Sequence, residues 1–251
     1  MDQKENTFYF TILISSLVLL SLIAVFSLTA LWLYRKRIAT QKELENRNLF
    51  KLESDRQRLA DSLQNILLPV FNLMLPELEA LKLPDDESRS SVAEIKLLAS
   101  RAVEQLTRLS SLLVPRQLEE VGPAAALKNF AGIIQDTYHL PVHFSGSDIP
   151  RLTKEAELHI YRLAEELLDN IIVHAKATQA FLNISSSERN ITLLVSDDGI
   201  GLDLPYVKKS KKALGLRNIL ARAFVLDAEV FIESNNEGGT TYIIDIPIQN
   251  S

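Results

Sequence analysis

The chain has 251 residues, of which 47% are hydrophobic and 24% are charged, enough for one large or two modest domains with buried cores. Its formal net charge of -5 argues against a nucleic-acid surface, because neutralising phosphates needs a concentrated basic patch. There is no cysteine, which excludes disulfides and thiolate metal sites, and the four histidines lack metal-ligand spacing. A metal is therefore expected only through oxygen ligands or together with a nucleotide.

An uncharged, apolar run occupies residues 8–33. At about 1.5 Å per residue it is longer than the roughly 30 Å hydrocarbon core of a bilayer, so we predict a short external tail over 1–7 and one transmembrane helix over 8–34. A cleaved signal peptide is the alternative, although its apolar stretch would be shorter, about 7 to 15 residues. Arg35, Lys36 and Arg37 follow directly, and the positive-inside rule then places the rest of the chain in the cytoplasm.

Two predicted helices follow a juxtamembrane coiled-coil linker over 35–50, and together they form a hairpin over 51–115. Each has a seam whose members alternate spacings of four and three. The first seam is Leu52, Arg56, Leu59, Leu63, Ile66, Val70 and Leu73, and the second is Val92, Ile95, Ala99, Ala102, Leu106, Leu109 and Leu113. A turn is expected at residues 84–86, and Pro69 and Pro76 are expected to kink the first helix. Because two helices bury little surface, we expect a dimeric four-helix bundle; a hairpin packed on the rest of the chain is the alternative.

From about Gly122 the pattern changes to mixed helix and strand. Helices are predicted over 124–138 and 154–175, and half-buried strands over 142–144, 180–185, 191–195, 230–234 and 241–246. Helices gathered against a mostly antiparallel sheet make an α+β sandwich.

One face of the second of these helices is polar, since Glu166, Asn170 and His174 recur at every fourth residue. Its opposite face, formed by Ile160, Leu163, Leu167 and Ile171, is predicted to lie in the core. A polar helix face is most often only solvated, and the sequences DDGIG at 197–201 and LGL at 214–216 are what favour a ligand site here. A carboxylate at a strand end can accept the adenine amino group, an asparagine oxygen can bind Mg²⁺, and a glutamate can polarise an attacking group.

These motifs together resemble the nucleotide site of sensor histidine kinases. Residues 161–170, YRLAEELLDN, and 174–178, HAKAT, are similar to the N box of the subfamily that pairs with LuxR-type response regulators. Residues 195–201 resemble the adenine-binding box, 214–219 the glycine box, and 238–241 the closing turn before the last strand. The resemblance implies an ATP-binding domain of the histidine kinase, gyrase and Hsp90 type over 122–249, preceded by an all-α dimerisation hairpin.

The resemblance also implies the roles of individual residues. Glu166 would be the activating acid, and Asn170 would hold Mg²⁺ through ATP. The residues assigned to ATP are Asp197, Gly199, Gly201, Gly215, Leu216, His174, Lys176 and Thr240. Two departures weaken the expected grip on the phosphates: Ala213 replaces a common lid glycine, and Val173 replaces a frequent basic residue.

The phosphate-accepting histidine of these kinases is absent, because Gln64 stands at its position and no histidine precedes His139. A glutamine amide cannot replace imidazole as nucleophile, since its nitrogen lone pair is delocalised into the carbonyl. Asn65 is not a base, and Pro69 stands where relatives carry a glutamine that orients water for dephosphorylation. Self-phosphorylation is therefore not expected, which leaves a degenerate phosphoacceptor domain.

Three functions are compatible with the sequence. The first is an ATP-dependent kinase that phosphorylates a partner chain, and the second is an inactive ATP-binding pseudokinase or scaffold that regulates a partner. The third, an ATPase of the chaperone or anti-sigma kind, is disfavoured by the membrane run and the heptads. The expected partners are a second copy or another histidine kinase, a LuxR-type response regulator and membrane lipid, with no nucleic acid, at a bacterial cytoplasmic membrane.

Overall fold

The computed structural model describes residues 2–81, 86–115, 117–147, 149–202, 214–234 and 238–248; for residues 2–12, 15, 18, 87 and 214 it describes only the backbone. The chain divides into two compact units, 1–47 and 48–251. The predicted turn at 84–86 falls mostly outside the described residues, as does Ala213, and Asp86 itself begins a helix.

The first unit consists of the N-terminal part of helix α1 (Asp2–Ser62). The apolar side chains described between Leu13 and Leu33 are exposed. By length and composition this helix could cross a membrane, a criterion that a signal sequence near an N-terminus also meets.

The second unit begins with the predicted helical region. After α1 a π-helical turn (Leu63–Leu67) leads into α2 (Leu68–Ala80), which packs against α3 (Asp86–Leu113). The amide of Leu68 donates to the carbonyl of Leu63, the bond that defines the wider turn. Pro69, where a kink was predicted, follows at once and has no amide hydrogen for a regular helical bond.

The buried face of α1 in the second unit differs from the predicted seam. Leu59 and Ile66 of that seam are 58% and 62% exposed, whereas Leu49 and Ala60 are buried at 4% and 0%. The buried face runs from Leu49 through Glu53 and Arg56 to Ala60, with spacings of four, three and four residues. Of these residues, only Arg56 also belongs to the predicted seam. The apolar seam is therefore left on the outside of the single chain, and its burial in a dimer remains a prediction.

The C-terminal part is an α+β sandwich, as predicted. Its helices are α4 (Gln117–Tyr138), α5 (Lys154–Asn170), a π-helical turn (Ile171–Ala175) and α6 (Leu214–Val225). Its strands are β1 (Val142–Gly146), β2 (Ala180–Ser186), β3 (Asn190–Asp197), β4 (Glu229–Ser234) and β5 (Thr240–Pro247). They form one sheet in the order β1-β2-β3-β5-β4, antiparallel except for the parallel pair β1 and β2.

The core lies between this sheet and helices α4 and α5. Alternate residues of β3 point into it, so that Ile191, Leu193 and Val195 are fully buried. The predicted apolar face of α5 is confirmed, since its four members are between 0% and 2% exposed: Ile160, Leu163, Leu167 and Ile171. Each such side chain contributes about 1.5 to 3 kcal/mol by leaving water. This packing fixes α5 on the sheet. The π-helical turn that follows α5 lies close to the end of β3, since the Ala175 carbonyl accepts from the Ile200 amide.

Candidate nucleotide-binding site

Asp197, the predicted adenine-binding residue, is the last residue of β3 and pairs in register with Thr240 at the start of β5. Its Oδ1 accepts a hydrogen bond of 2.8 Å from the Gly199 amide, and its residue is only 9% exposed. Burial raises the pKa of Asp197, while the amides of Gly199 and Thr240 stabilise the ionised form and oppose that rise. The result is an oriented, partly dehydrated acceptor, which suits recognition of an amino group.

Gly199 joins three segments around this carboxylate. The carbonyl of Ala175 accepts from the amide of Ile200 at 2.8 Å, and the carbonyl of Gly199 accepts from the amide of Gly239 at 2.5 Å. A Cβ on Gly199 would lie 2.2 Å from the Ala175 oxygen, so no larger residue fits without backbone movement. The DDGIG motif therefore works as a junction between the end of the π-helical turn and the turn before β5.

Asp198, the neighbouring acid, has a structural role that the motif alone did not indicate. Its carboxylate accepts from the amides of Thr178 and Gln179, at 2.7 and 3.1 Å, and from the hydroxyl of Thr178 at 2.5 Å. These donors lower the pKa of Asp198 to about 2, the Thr178 hydroxyl being the main cause. The two acids of the motif thus have different roles, because Asp198 fixes the loop at Thr178, whereas Asp197 lies at the end of β3 and is oriented by Gly199.

Asn170 and Glu166 are brought together at the end of α5, as the sequence predicts. Gly215, in the first turn of α6, lies directly against both: a Cβ there would be 2.8 Å from Asn170 Oδ1 and 2.9 Å from Glu166 Oε1. The side-chain amide nitrogen Nδ2 of Asn218 donates to Glu166 Oε2 at 3.4 Å. The first turn of α6 therefore covers the two residues that the resemblance assigns to magnesium and to catalysis.

The electrostatic setting of Glu166 suits a proton acceptor. Burial raises its pKa, whereas the Asn218 hydrogen bond and the charge of Arg56 lower it. The rise dominates, which moves the carboxyl group toward the range in which a general base is effective.

His174 and Lys176 lie beyond the end of α5. The helix does extend to Ala175, as predicted, but its last five residues form a π-helical turn. Both side chains are exposed, and Lys176 ends the turn in the left-handed conformation with φ of 50°. Their contact with phosphate stays a prediction.

The remaining predicted residues lie around the same edge of the sheet. Thr240 is buried beside Asp197, and Gly201 has a left-handed φ of 78° just beyond the junction. Leu216 is half-buried in the first turn of α6.

Gln64 lies within the first π-helical turn, and it lines a cavity of about 210 Å³ together with Asn129 of α4 and Tyr161 of α5. The cavity walls carry uncharged amides, hydroxyls and apolar groups. None of the ten lining residues is acidic or a histidine, so none of them is a candidate base.

The sequence missed a cluster of charges next to the site. Glu53 and Arg56 of α1 pair with Arg162 and Glu165 of α5 and with Arg222 of α6. The feature of the sequence that could have indicated this cluster is Arg56, the polar member of an otherwise apolar seam.

The residues present fit a magnesium ion that enters with a nucleotide. Within the described part of the chain, no group of three His, Cys, Asp or Glu side chains could hold a metal alone. Asn170 offers one amide oxygen, and magnesium commonly takes few protein oxygens together with water and phosphate.

Comparison with known proteins identifies the family of the C-terminal part of the chain. Residues 155–250 match the family model described as histidine kinase-, DNA gyrase B-, and HSP90-like ATPase. The oxygen sensor histidine kinase NreB of Staphylococcus carnosus is 25% identical over 211 residues, which are 83% of this chain and 60% of that protein. The chain thus spans less than two thirds of the length of that relative. Its C-terminal part is a histidine kinase-like ATPase domain, and it has a sensor histidine kinase as a homologue.

Solved structures similar to this chain include the histidine kinase domain of the blue-light-activated histidine kinase EL346 from Erythrobacter litoralis. It is 20% identical, with a TM-score of 0.45, over 72% of this chain and 93% of that one. The histidine kinase AdeS of Acinetobacter baumannii is 17% identical, with a TM-score of 0.41, over 73% of this chain and 98% of that one.

Proposed function

We propose that this chain is a membrane-bound, ATP-binding protein of two-component signalling that acts through a partner chain. The observation that carries the proposal is the oriented, buried carboxylate of Asp197 within a domain that matches histidine kinase-like ATPases. The membrane location rests on the apolar run at 8–33, and the partner chain on the missing acceptor at Gln64.

Adenine binding is assigned to Asp197, whose carboxylate would accept the exocyclic amino group. Gly199 and Gly201 let the backbone approach the base, and Thr240 lines the same edge of the sheet. Asn170 would hold the magnesium ion, which neutralises phosphate charge when bound. His174, Lys176, Gly215 and Leu216 are proposed to flank the phosphates.

Phosphoryl transfer is assigned to a histidine of a partner. Its imidazole nitrogen would form a bond to the γ-phosphorus of ATP while the bond to the β,γ-bridging oxygen breaks and ADP leaves. Glu166 would take the imidazole proton, a role that its raised pKa favours. Gln64 offers no such nucleophile, so the acceptor must come from elsewhere.

The partners follow from the same reasoning. We propose a dimer with a second copy or another histidine kinase, built on the exposed seam of Leu59 and Ile66, and a LuxR-type response regulator downstream. The unit over residues 1–47 is proposed to lie in a bacterial cytoplasmic membrane, in contact with lipid, with the C-terminal domain in the cytoplasm.

A labelling experiment tests the enzymatic part. The full chain is incubated with γ-labelled ATP, alone and with candidate partner kinases and regulators. We expect acid-labile label on a partner, lost with Glu166→Gln and retained with Glu188→Gln, an exposed acid on the same domain. Label on this chain alone would contradict the interpretation of Gln64.

A non-catalytic role is the second candidate, and the observation that favours it is the joint change at Gln64, Asn65 and Pro69. In that case ATP binding would alter the grip of the helical hairpin on a partner without transfer. Nucleotide binding with no label on any partner, together with a partner affinity that depends on ATP, would select this role.

A further inference from the structure

Glu53 of α1 holds two arginines from two different helices. Its Oε2 accepts from Arg162 Nε at 3.0 Å and lies 2.9 Å from Arg162 Nη2, while its Oε1 accepts from Arg222 Nη2 at 2.8 Å. Arg162 belongs to α5 and Arg222 to α6, so a single carboxylate bridges the two helices that carry the nucleotide site.

The bridge is buried, which makes its geometry costly to change. The side chains of Arg162, Arg222 and Glu53 are 1%, 2% and 15% exposed. A buried charge that loses its partner is strongly destabilising, so these three groups favour one fixed arrangement.

Arg222 depends on Glu53 more than Arg162 does. Arg162 also donates to Glu165 and to the carbonyls of Leu112 and Leu113. Within the described residues, the other hydrogen-bond partner of Arg222 is His159 Nδ1, at 3.1 Å, and Arg222 Nε has no partner. His159 carries little positive charge near neutrality, because burial and Arg222 lower its pKa to about 4. Removing the charge of Glu53 would therefore release α6 in particular.

The position of α6 matters because its first turn covers Glu166 and Asn170. Gly215 leaves no room for even a methyl group above these side chains, and Asn218 occupies one oxygen of Glu166. A magnesium ion with its phosphates needs space at Asn170. The adenine end of the site, at Asp197, is built from β3, β5 and the π-helical turn and does not involve α6.

We propose that Glu53 is a positioning residue of the nucleotide site: by holding Arg162 and Arg222 together it keeps the first turn of α6 over Glu166 and Asn170, and so limits entry of magnesium triphosphate. This inference rests on the proposed function. It predicts different effects on the affinities for Mg·ATP and for adenosine, because the Glu53 bridge acts on the phosphate end of the site and leaves the adenine end unchanged.

The test compares two ligands on the full chain in detergent micelles, namely adenosine and Mg·ATP, by calorimetry. In Glu53→Gln we expect tighter Mg·ATP binding, on the order of fivefold to tenfold, because the open arrangement is more populated. Adenosine affinity should not change. The control is Glu104→Gln, which removes an exposed acid paired loosely with Arg108 at 3.8 Å and should alter neither affinity.

Two results would overturn the inference. Equal changes for both ligands, or no change for either, would show that Glu53 acts only through stability or not at all. Absence of adenosine binding by the wild-type chain would overturn the proposed function itself, and with it this inference.

A distance measurement guards against a variant that simply folds poorly. The chain has no cysteine, so Lys51→Cys and Leu220→Cys, both at exposed positions on α1 and α6, can carry paired spin labels. We expect one narrow distance distribution with Glu53 present and a broader, longer one with Glu53→Gln. Adding adenosine should not narrow the distribution of the variant. An unchanged distribution would contradict the proposed bridge.

Discussion

Single residues of the site have clearly separated tasks. Asp197 is a buried carboxylate oriented by the Gly199 amide, Asp198 holds the loop at Thr178, and Glu166 has its pKa raised by burial. Sequence motifs located the residues of the first and third tasks, because residue type and spacing place Asp197 at a strand end and Glu166 on a polar helix face. They did not predict the second, since an Asp-Asp pair does not show which acid the backbone amides will bind.

His159 makes stability depend on pH. Its folded pKa of about 4 lies below the ordinary value of 6.5, so the unfolded chain binds the proton more readily and stability is lost as pH falls through that window. Between about pH 7 and about pH 5 we expect the free energy of unfolding to fall by about 2 kcal/mol because of His159. Urea unfolding of residues 48–251 at both values should show it, and His159→Gln should remove that share of the loss. An equal pH dependence in wild type and variant would contradict the assignment.

At the scale of elements, regular periodicity was sufficient to predict the five strands and the core face of α5. The π-helical turns were not predictable, because a wider turn leaves the residue pattern almost unchanged. The buried face of α1 was also missed. Its members Glu53 and Arg56 are charged, and hydrophobic spacing cannot identify a face whose burial depends on ion pairs with residues more than a hundred positions away.

The junction at Gly199 is an element-level prediction with a matched control. Gly199→Ala would place a methyl group 2.2 Å from the backbone oxygen of Ala175, a clash that side-chain rotation cannot relieve. We expect a loss of about 1 to 3 kcal/mol in the free energy of unfolding and weaker nucleotide binding. Gly132→Ala, on the exposed side of α4 with nothing within 4 Å, should instead add about 0.5 to 1 kcal/mol. Similar unfolding midpoints for the two variants would contradict this account.

At the scale of the whole molecule, the exposed seam predicts association. Leu59, Ile66 and Leu73 are 58%, 62% and 72% exposed, a row of apolar side chains that a partner helix would cover. We expect Ile66→Asp to shift the full chain from dimer to monomer in light scattering, while Leu220→Asp on α6 leaves the mass unchanged. A wild-type chain that stays monomeric, both alone and with a candidate partner kinase, would rule out the bundle.

The central claim is that this chain binds ATP through Asp197, and titration calorimetry of the full chain in detergent micelles tests it most directly. Asp197→Asn keeps the size of the side chain but replaces its charged acceptor, so it should abolish measurable binding, whereas wild type should bind ATP with micromolar to millimolar affinity. Asp136→Asn, an exposed acid in α4, serves as the control and should bind as wild type does. A folded wild-type chain that binds no nucleotide, or equal affinity in wild type and Asp197→Asn, would contradict the account.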